Sequence, residues 1–268
     1  MARAGTKATA LWVVRRLRRA GFTALLAGGC VRDVLLGLRP ADYDVATDAT
    51  PQQVRRLFRR VLLVGAKFGV AMVLRDRRRV EVTTFRSDLS YSDGRRPDGV
   101  RFSTPREDAL RRDFTINGMF LDPLTGEVID HVGGRADLRR RVVRTIGPAD
   151  RRFAEDYLRM IRAVRFAVRL GFRMHRSTAA AIRRHAPKIV SISGERIFDE
   201  LSKMLSAPTA AEAMRMLHAT GLAREVLPEL FAGPERWRRG VARLAAVAAK
   251  KDLPLSLAAL LGELEAET

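Results

Sequence analysis

The sequence predicts an α+β protein in which a mixed-sheet head precedes an all-helical region. Three observations support this fold class. Alternating apolar and polar residues, the spacing typical of strands, occur only before about Pro148. Apolar residues at helical spacing dominate the sequence after it. The pair Gly28-Gly29 follows a short apolar run and precedes a helical pattern, as expected of a strand, a turn and a helix in succession. We therefore expect two domains, residues 1–148 and 149–268.

The head begins with alternating helices and strands. Apolar and basic residues at helical spacing predict a helix over 7–20, and the apolar run 23–27 predicts a strand. The double glycine then leads into a short helix over 31–36. Polar and apolar residues alternate in a second strand over 42–45. A proline, which is favoured at the first helical position, opens a helix over 52–58.

The rest of the head is predicted to be strands around a long loop. Two β-rich runs, 69–74 and 79–84, are joined by a charged turn and form a plausible hairpin. The polar segment 87–108 contains Asp-Gly and Pro-Asp-Gly, which is the composition of a long mobile loop. Strand patterns return at 117–121 and 127–129.

Helices account for the whole of the second predicted domain. They are expected at 152–170, 177–186, 194–206, 208–219, 238–250 and 254–265. The pair Gly133-Gly134 precedes this region, and we expect it to form a hinge between the head and a helical neck.

The composition indicates an anionic partner. The sequence carries 50 Lys and Arg against 30 Asp and Glu, a formal charge of +20. Nucleic acid is the obvious polyanion, although an arginine bias across the proteins of the source organism would give the same excess. Cys30 is the only cysteine, which excludes an intrachain disulfide and is typical of a reducing compartment. Because no apolar stretch approaches the roughly 20 residues of a membrane span, we expect a cytoplasmic protein with no membrane partner.

Three acidic residues on predicted strands are candidate ligands for divalent cations. Asp42 and Asp44 are two apart on one strand, so both carboxylates are expected on one face. Glu81 lies between two valines on another strand, with its carboxylate opposite the core side. Nucleotidyl transfer needs charge neutralised on the attacking and leaving oxygens, which two Mg²⁺ ions about 3.5–4 Å apart achieve when shared carboxylates hold them. An Asp-x-Asp pair alone is more often a solvated strand face.

The glycine turn adds an element that can bind phosphate. Gly28 and Gly29 bring backbone amides and a positive helix end close to a triphosphate, and Arg32 on the first helical turn can add a cation. A diglycine turn, an Asp-x-Asp strand and a lone acid in a valine strand, in this order, resemble the nucleotidyltransferase superfamily that includes DNA polymerase beta.

Seven segments are similar, in order, to motifs of class II tRNA nucleotidyltransferases and bacterial poly(A) polymerases. The segments are 26–34 (LAGGCVRDV), 42–51 (DYDVATDATP), 81–86 (EVTTFR), 111–119 (RRDFTINGM), 130–138 (DHVGGRADL), 155–167 (EDYLRMIRAVRFA) and 194–201 (GERIFDEL). The resemblance implies a polymerase beta-like catalytic head followed by a helical neck and body. It also implies template-independent addition of nucleotides to an RNA 3′ end, with tRNA as acceptor, CTP and ATP as substrates and two Mg²⁺ ions as cofactors.

The resemblance implies a role for each matching residue of the head. Asp42 and Asp44 would ligate the metals, and Glu81 beside them would help to activate the RNA 3′ hydroxyl. The residues that would bind the nucleotide are Gly28, Gly29, Arg32 and Asp33 at the triphosphate, Arg111, Arg112 and Asp113 at the ribose and phosphates, and Asn117 as a supporting polar group. Asp113 would accept a hydrogen bond from a 2′ hydroxyl. A junction of ordinary solvated charges is the alternative for the block that begins at Arg111.

Asp156 and Arg159 lie three apart on a predicted helix, so we expect their side chains to meet on one face. The resemblance implies that this pair reads the base edge, with the carboxylate accepting from an exocyclic amine and the guanidinium donating to a ring nitrogen or carbonyl. Cytosine and adenine satisfy this pattern, and uracil and guanine satisfy it poorly. Arg162 and Arg165 would contact phosphates or brace the pair, and Arg196 would support the helix. An exposed intrahelical ion pair is the alternative.

Lesser features favour addition of the full CCA sequence. The stretch 64–70 and the run 170–172 are closer to CCA-adding enzymes than to poly(A) polymerases. The loop segment 91–98 is intact, which disfavours addition of the two cytidines alone, so A addition and poly(A) synthesis stay open. Gly118 and Cys30 stand where alanine is commoner in the family. Relatives usually carry further helical regions. The sequence is therefore either truncated or a compact member of the family.

A non-catalytic RNA-binding protein of the same fold is the alternative from a different functional class. It would share the steep salt dependence of RNA binding, which therefore does not separate the two classes. A pure binder gains nothing from a carboxylate cluster facing RNA, and the acids at 42, 44 and 81 therefore favour an enzyme.

Overall fold

The computed structural model describes residues 3–4, 6–89, 99–232 and 235–262. The chain divides after Arg140 into two compact units, and each is described below by itself. The functional boundary predicted near residue 148 stays a prediction.

The first unit contains a mixed sheet with helices. Its strands are β1 (Arg3–Ala4), β2 (Ala24–Ala27), β3 (Asp44–Thr47), β4 (Val61–Leu62), β5 (Val70–Arg75), β6 (Arg78–Thr84), β7 (Arg86–Asp88), β8 (Val100–Phe102), β9 (Met119–Leu121) and β10 (Val128–Asp130). Its helices are α1 (Lys7–Arg19), α2 (Gly29–Leu35), α3 (Pro51–Leu57), α4 (Pro105–Leu110) and α5 (Gly134–Arg139).

The main sheet has the strand order β10-β9-β2-β3-β6-β5-β4, and β1 pairs in parallel with β6. The β3–β6 pair is parallel, whereas the pairs β2–β3, β2–β9, β5–β6, β4–β5 and β9–β10 are antiparallel. This confirms the predicted mixed sheet. Because β6 lies between β3 and β5, residues distant in sequence meet at the middle of the sheet.

Local sequence explains the first helices and the predicted hairpin. Thr50 begins α3 with a capping box, in which its side chain accepts from the backbone N–H of Gln53 and the Gln53 side chain accepts from that of Thr50. Pro51 occupies the first helical position, as predicted. The hairpin of β5 and β6 turns at Asp76 and Arg77, both with positive φ, which is the conformation that matches the twist of two antiparallel strands.

The prediction of one long loop over 87–108 is wrong at both of its ends. β7 pairs with β8, and α4 begins at Pro105. The missed signal was the capping box of Thr104 and Glu107, whose side chains and backbone N–H groups pair reciprocally. The predicted loop residues 91–98 lie outside the described residues.

The predicted hinge at Gly133 and Gly134 is also corrected. Both glycines lie within the first unit, where Gly133 has φ +77° and precedes α5. A Cβ on Gly134 would come within 2.3 Å of the backbone oxygen of Thr115. Gly134 therefore allows two segments of the same unit to pack closely.

The second unit is helical apart from one short pair of strands, β11 (Val142–Val143) and β12 (Arg173–Met174), which the sequence did not predict. Its helices are α6 (Ala149–Glu155), α7 (Leu158–Leu170), α8 (Arg176–His185), α9 (Gly194–Leu205), α10 (Ala210–Ala219), α11 (Leu222–Val226), α12 (Arg236–Val247) and α13 (Leu253–Leu261). The helix predicted over 152–170 is interrupted at Asp156, which is extended, with φ −162° and ψ 104°. None of the helices within the described residues is long and apolar enough to span a bilayer.

Candidate active site

Strand register brings two of the predicted acids together. In the parallel pair of β3 and β6, Val45 lies opposite Val82, so the preceding residues Asp44 and Glu81 are neighbours on the same face. β2 pairs with β3 so that Ala27 lies opposite Asp44, which places the glycine turn directly after the same point of the sheet. As predicted, Asp44 and Glu81 are neighbours, and the Gly28-Gly29 turn follows the strand paired with Asp44.

Asp44 and Glu81 line a cavity of about 180 Å³ together with Arg86, Arg111 and Arg112. Its floor is the sheet, where small residues of β2 and β3 leave room. The cavity therefore combines two carboxylates with three guanidinium groups, which suits a ligand that contains both phosphate and metal ions.

Burial and neighbouring acids together determine the pKa of Asp44 in the cavity. Burial, and then the charges of Glu81 and Asp42, raise the pKa of Asp44 to about 7, while Arg112 acts in the opposite direction. The hydroxyl of Thr83 donates to Glu81 Oε1 at 3.4 Å. A divalent cation bound here would favour the ionised form of Asp44.

Asp42, the third predicted acid, lies just before the first residue of β3. Asp42 precedes β3 rather than lying in it, and it is exposed, so the expectation that Asp42 belongs to the same strand as Asp44 is wrong. The shared face of the two carboxylates stays a prediction. Among the residues that the structure describes, no group of three Asp, Glu, His or Cys side chains is arranged to hold a metal ion. The donor chemistry still fits Mg²⁺, because Asp44 and Glu81 offer carboxylate oxygens in one cavity and the charge of Asp42 reaches Asp44.

Gly28 has a conformation and a contact that require glycine. Its φ is +72°, and a Cβ at this position would lie 2.8 Å from Nη1 of Arg112. Its N–H donates to the carbonyl of Met119 at 3.2 Å, which fixes the turn beside β9. Gly29 begins α2, as the strand, turn and helix pattern predicted.

Arg111 and Arg112 are held by an acid that the sequence analysis missed. Asp108 is 1% exposed and accepts from both guanidiniums, with Arg111 Nη2 at 2.7 Å and Arg112 Nη2 at 2.9 Å. Burial by itself would raise the pKa of Asp108, but the charges of Arg112 and Arg111 lower it below its ordinary value. The capping box at the start of α4 was the available signal, because it places Asp108 three and four residues before the two arginines on or just after one helix.

The remaining predicted residues of the head form a buried network. Arg32 is 2% exposed, and it donates to Asp33 Oδ1 through Nε and Nη2 and to Asn117 Oδ1 at 2.7 Å. Asn117 Nδ2 donates to Asp113 Oδ1 at 3.1 Å. The expected role of Arg32 as a cationic clamp on the triphosphate stays a prediction. In the structure its guanidinium is enclosed in the network, whereas Arg111 and Arg112 line the cavity.

The predicted base-reading residues of the second unit have different partners from those expected. Asp156 accepts from Arg196 at 2.8 and 3.3 Å, and Arg159 Nη1 donates to Glu155 Oε2 at 2.6 Å. The break between α6 and α7 explains the change, because Asp156 and Arg159 are not successive turns of one helix. Arg196 contacts Asp156, and its expected role in supporting the base-reading helix stays a prediction.

Arg162 and Arg165 continue along α7 and meet one acid of α9. Arg165 Nε donates to Glu200 Oε2 at 2.6 Å, and Arg162 Nη1 lies 3.9 Å from Glu200 Oε1. Both guanidiniums also lie over the ring of Phe166, at 5.4 and 4.3 Å from its centroid. These contacts link α7 to α9, and the expected roles of Arg162 and Arg165 at phosphates or at the base-reading pair stay predictions.

Two family models match most of the described chain. Residues 24–144 match the poly A polymerase head domain, and residues 171–233 match the probable RNA and SrmB-binding site of polymerase A.

Individual relatives give the same result. The chain is 46% identical over 214 residues to a protein of Geobacillus kaustophilus named CCA-adding enzyme, covering 80% of this chain and 53% of the relative. It is similar to the crystal structure of the Bacillus stearothermophilus CCA-adding enzyme in complex with CTP, with a TM-score of 0.83, 41% identity and coverage of 96% of this chain and 62% of that one. A tRNA nucleotidyltransferase complexed with a primer tRNA and an incoming ATP analog aligns with a TM-score of 0.73, 26% identity and coverage of 95% and 76%. The chain spans about half the length of the curated relatives it matches.

Proposed function

Because this chain belongs to the family of poly A polymerases and CCA-adding enzymes, we propose that it catalyses the template-independent addition of CCA to tRNA 3′ ends from CTP and ATP. The observation that carries this proposal is the placement of Asp44 beside Glu81 in a cavity that Arg111 and Arg112 also line. The names of the similar proteins support the same substrates.

Each group at the cavity has a proposed part in nucleotidyl transfer. Two divalent cations, proposed to be Mg²⁺, would neutralise charge on the attacking and leaving oxygens when bound. Asp42 and Asp44 would hold them. Glu81 would accept the proton of the RNA 3′ hydroxyl. Arg111 and Arg112 would bind the triphosphate.

The buried network would keep this geometry fixed. Gly28 leaves the space that Arg112 occupies, and Gly29 opens α2 beside it. The set that we propose to position the nucleotide from behind consists of Arg32, Asp33, Asp113 and Asn117. A cavity of about 180 Å³ is smaller than the roughly 300–1,000 Å³ of ordinary ligand sites. It would therefore hold the reacting phosphates and not the whole nucleotide.

We propose that base selection belongs to the helical unit. Asp156 and Arg159 would present an acceptor and a donor to cytosine and adenine. Arg196 and Glu155 hold these two side chains at 2.8 and 2.6 Å, so each would be restrained before a nucleotide arrives. The functional division at residue 148, between a catalytic head and a helical part that reads the base and binds RNA, belongs to the same proposal, as does a cytoplasmic location.

Poly(A) synthesis is the second candidate, because the matched head-domain model carries the name of poly A polymerase. Addition of A alone is its variant within the family. A non-catalytic RNA-binding protein is disfavoured by the paired acids of the cavity, which would repel an RNA backbone in the absence of cations.

The product distinguishes these activities. The purified chain would be incubated with Mg²⁺, with CTP, ATP or both, and with tRNA that ends before, within or after its terminal CCA. We expect C, C and A to be added in this order, and we expect addition to stop after the A. Long adenosine tails would indicate poly(A) synthesis, and tRNA binding without any incorporation, while a full-length relative is active in parallel, would contradict catalysis by this chain.

A further inference from the structure

A second concave surface of the first unit surrounds Trp12. Two cavities, of about 480 and 320 Å³, share Trp12, Arg16, Arg75 and Asp76 in their walls. We call this surface the Trp12 groove. It is defined by Trp12, Asp76 and six arginines, which are Arg15, Arg16, Arg19, Arg59, Arg60 and Arg75.

The Trp12 groove lies away from the catalytic cavity. Glu81 and Thr83 line that cavity from one face of β6, and the alternate residues Val80 and Val82 point to the other face and are buried. α1, which carries Trp12, packs against β2, β3 and β6 but contributes nothing to the described lining of the catalytic cavity. The two sites therefore share no lining residue.

The charge of the groove is strongly one-sided. Six guanidinium groups line it against the single carboxylate of Asp76. All six arginines are exposed. Like charges at this density repel one another, and a bound polyanion removes the repulsion by replacing several separate counterions.

The aromatic side chains in the groove are fixed rather than loose. The guanidinium of Arg75 lies over the Trp12 ring, 4.4 Å from its centroid, and Phe58 meets that ring edge-on at 5.2 Å. Arg16 lies over the ring of Phe58 and donates to the carbonyl of Leu57 at 2.6 Å. A planar cation on an aromatic ring is a surface on which an unpaired base can stack.

Arginines beside a fixed aromatic ring favour one class of binding partner. A rigid duplex presents phosphates but no exposed base faces, and an acidic bilayer is flat where this surface is concave. A flexible single strand offers both phosphates and unpaired bases. We propose that the Trp12 groove binds single-stranded RNA, with phosphates on its arginines and a base stacked on the pair of Trp12 and Arg75. This inference takes RNA as the partner from the proposed function but does not depend on catalysis.

A binding experiment without catalysis tests the charges. The probe is an oligouridylate of about 12 nucleotides that carries a 3′ phosphate and cannot be extended, measured in EDTA without nucleotide. The groove variant is Arg15→Gln, Arg19→Gln, Arg59→Gln. The control, with the same loss of charge at exposed positions of the same unit outside the groove, is Arg106→Gln, Arg139→Gln, Arg140→Gln. We expect the groove variant to bind about tenfold more weakly and its salt slope to fall by about 2, since each lost phosphate contact removes roughly 0.7. Equal losses in both variants would show a diffuse charge effect and overturn the groove.

Tryptophan fluorescence tests the stacking. The sequence has two tryptophans, so Trp12→Phe and Trp237→Phe each leave one reporter. Quenching by the oligouridylate should persist in Trp237→Phe and vanish in Trp12→Phe. Absence of quenching in Trp237→Phe, whose one tryptophan is Trp12, would overturn the proposal, and so would binding of phosphatidylserine vesicles with no effect of RNA on Trp12. The groove variant should still extend saturating tRNA, whereas loss of extension in the wild-type chain would count against the proposed function and not against the groove.

Discussion

The guanidinium of Arg196 on α9 donates to both carboxylate oxygens of Asp156, at the break between α6 and α7. The side chain of Asp156 is 13% exposed and that of Arg196 is 24% exposed. An acid outside regular helical structure is thereby fixed by a helix some 40 residues later in the chain. If Asp156 reads the base, the orientation of its carboxylate depends on the hydrogen bonds from Arg196.

We predict that Asp156→Ala erases the preference for CTP and ATP while the rate with a single forced nucleotide persists. Arg196→Gln should weaken the same preference less, about tenfold or below, because the acid remains but loses its charged partner. The measurement is the ratio of kcat/KM for CTP and ATP to that for UTP and GTP. Unchanged selection in Asp156→Ala would remove the base-reading role.

We predict that Asp44→Asn reduces nucleotide incorporation to background and leaves RNA affinity within a few fold of the wild type. The amide cannot hold a cation as a carboxylate does, whereas RNA binding depends on other groups. Asp48→Asn, an exposed acid shortly after β3, is the control and should stay active. A parallel loss of RNA binding and incorporation in Asp44→Asn would point to a structural role instead.

Gly28→Ala should cost more than a positive φ alone explains. Gly37 has a similar φ, +70° against +72°, but a Cβ there would meet nothing within 4 Å, whereas Gly28 combines the contact with Arg112 with a ψ of −131°, outside the left-handed helical region. We therefore expect Gly37→Ala to lower the free energy of unfolding by about 1 kcal/mol, and Gly28→Ala to lower it further and to raise KM for the nucleotide, because Arg112 must move. Denaturant titrations and steady-state kinetics measure the two effects. Equal stability and equal KM in both variants would show that the contact with Arg112 is unimportant.

Asp108→Asn should destabilise the first unit by roughly 3 kcal/mol, because it leaves Arg111 and Arg112 without the charge that pairs them in a nearly enclosed site. It should also raise KM for the nucleotide more than it lowers kcat, since the two guanidiniums lose their direction. Asp150→Asn, which removes an exposed partner of Arg184, is the matched control and should leave Tm unchanged within error. A normal KM in Asp108→Asn would contradict the positioning role.

The stability of the second unit should depend on pH through Glu200. Burial would raise the pKa of Glu200, but Arg165 and Arg162 lower it below its ordinary value of 4.5. Because the folded state holds this proton less tightly than the unfolded state, its contribution is complete above about pH 4.5 and is lost as the pH falls through the folded value. Glu200→Gln should therefore cost roughly 3 kcal/mol at pH 7, and the difference from the wild type should shrink below pH 4.

Urea titrations between pH 3 and pH 7 would measure this difference. Glu195→Gln, at the exposed start of the same helix, is the control and should follow the wild type at every pH. A difference for Glu200→Gln that does not change with pH would contradict a charge effect.

Local patterns predicted the elements of this fold better than they predicted contacts. The start of α3 followed from Pro51, and the buried valines around Glu81 gave the correct face of β6. The break at Asp156 was missed because the apolar spacing continues through it and neither proline nor glycine marks it. The enclosure of Arg32 was missed because a guanidinium is expected at the surface unless its partners are known, and Asn117 is 85 residues away.

The order of the strands in the sheet determines when Asp44 and Glu81 can become neighbours. Asp44 and Glu81 meet only across the parallel pair of β3 and β6, and β6 enters between β3 and β5 after β5 has been synthesised. A chain that ends at β5 contains Asp44 but not Glu81. The two acids are therefore neighbours only when β6 lies beside β3, and Arg111 and Arg112, which also line the cavity, follow later in the sequence.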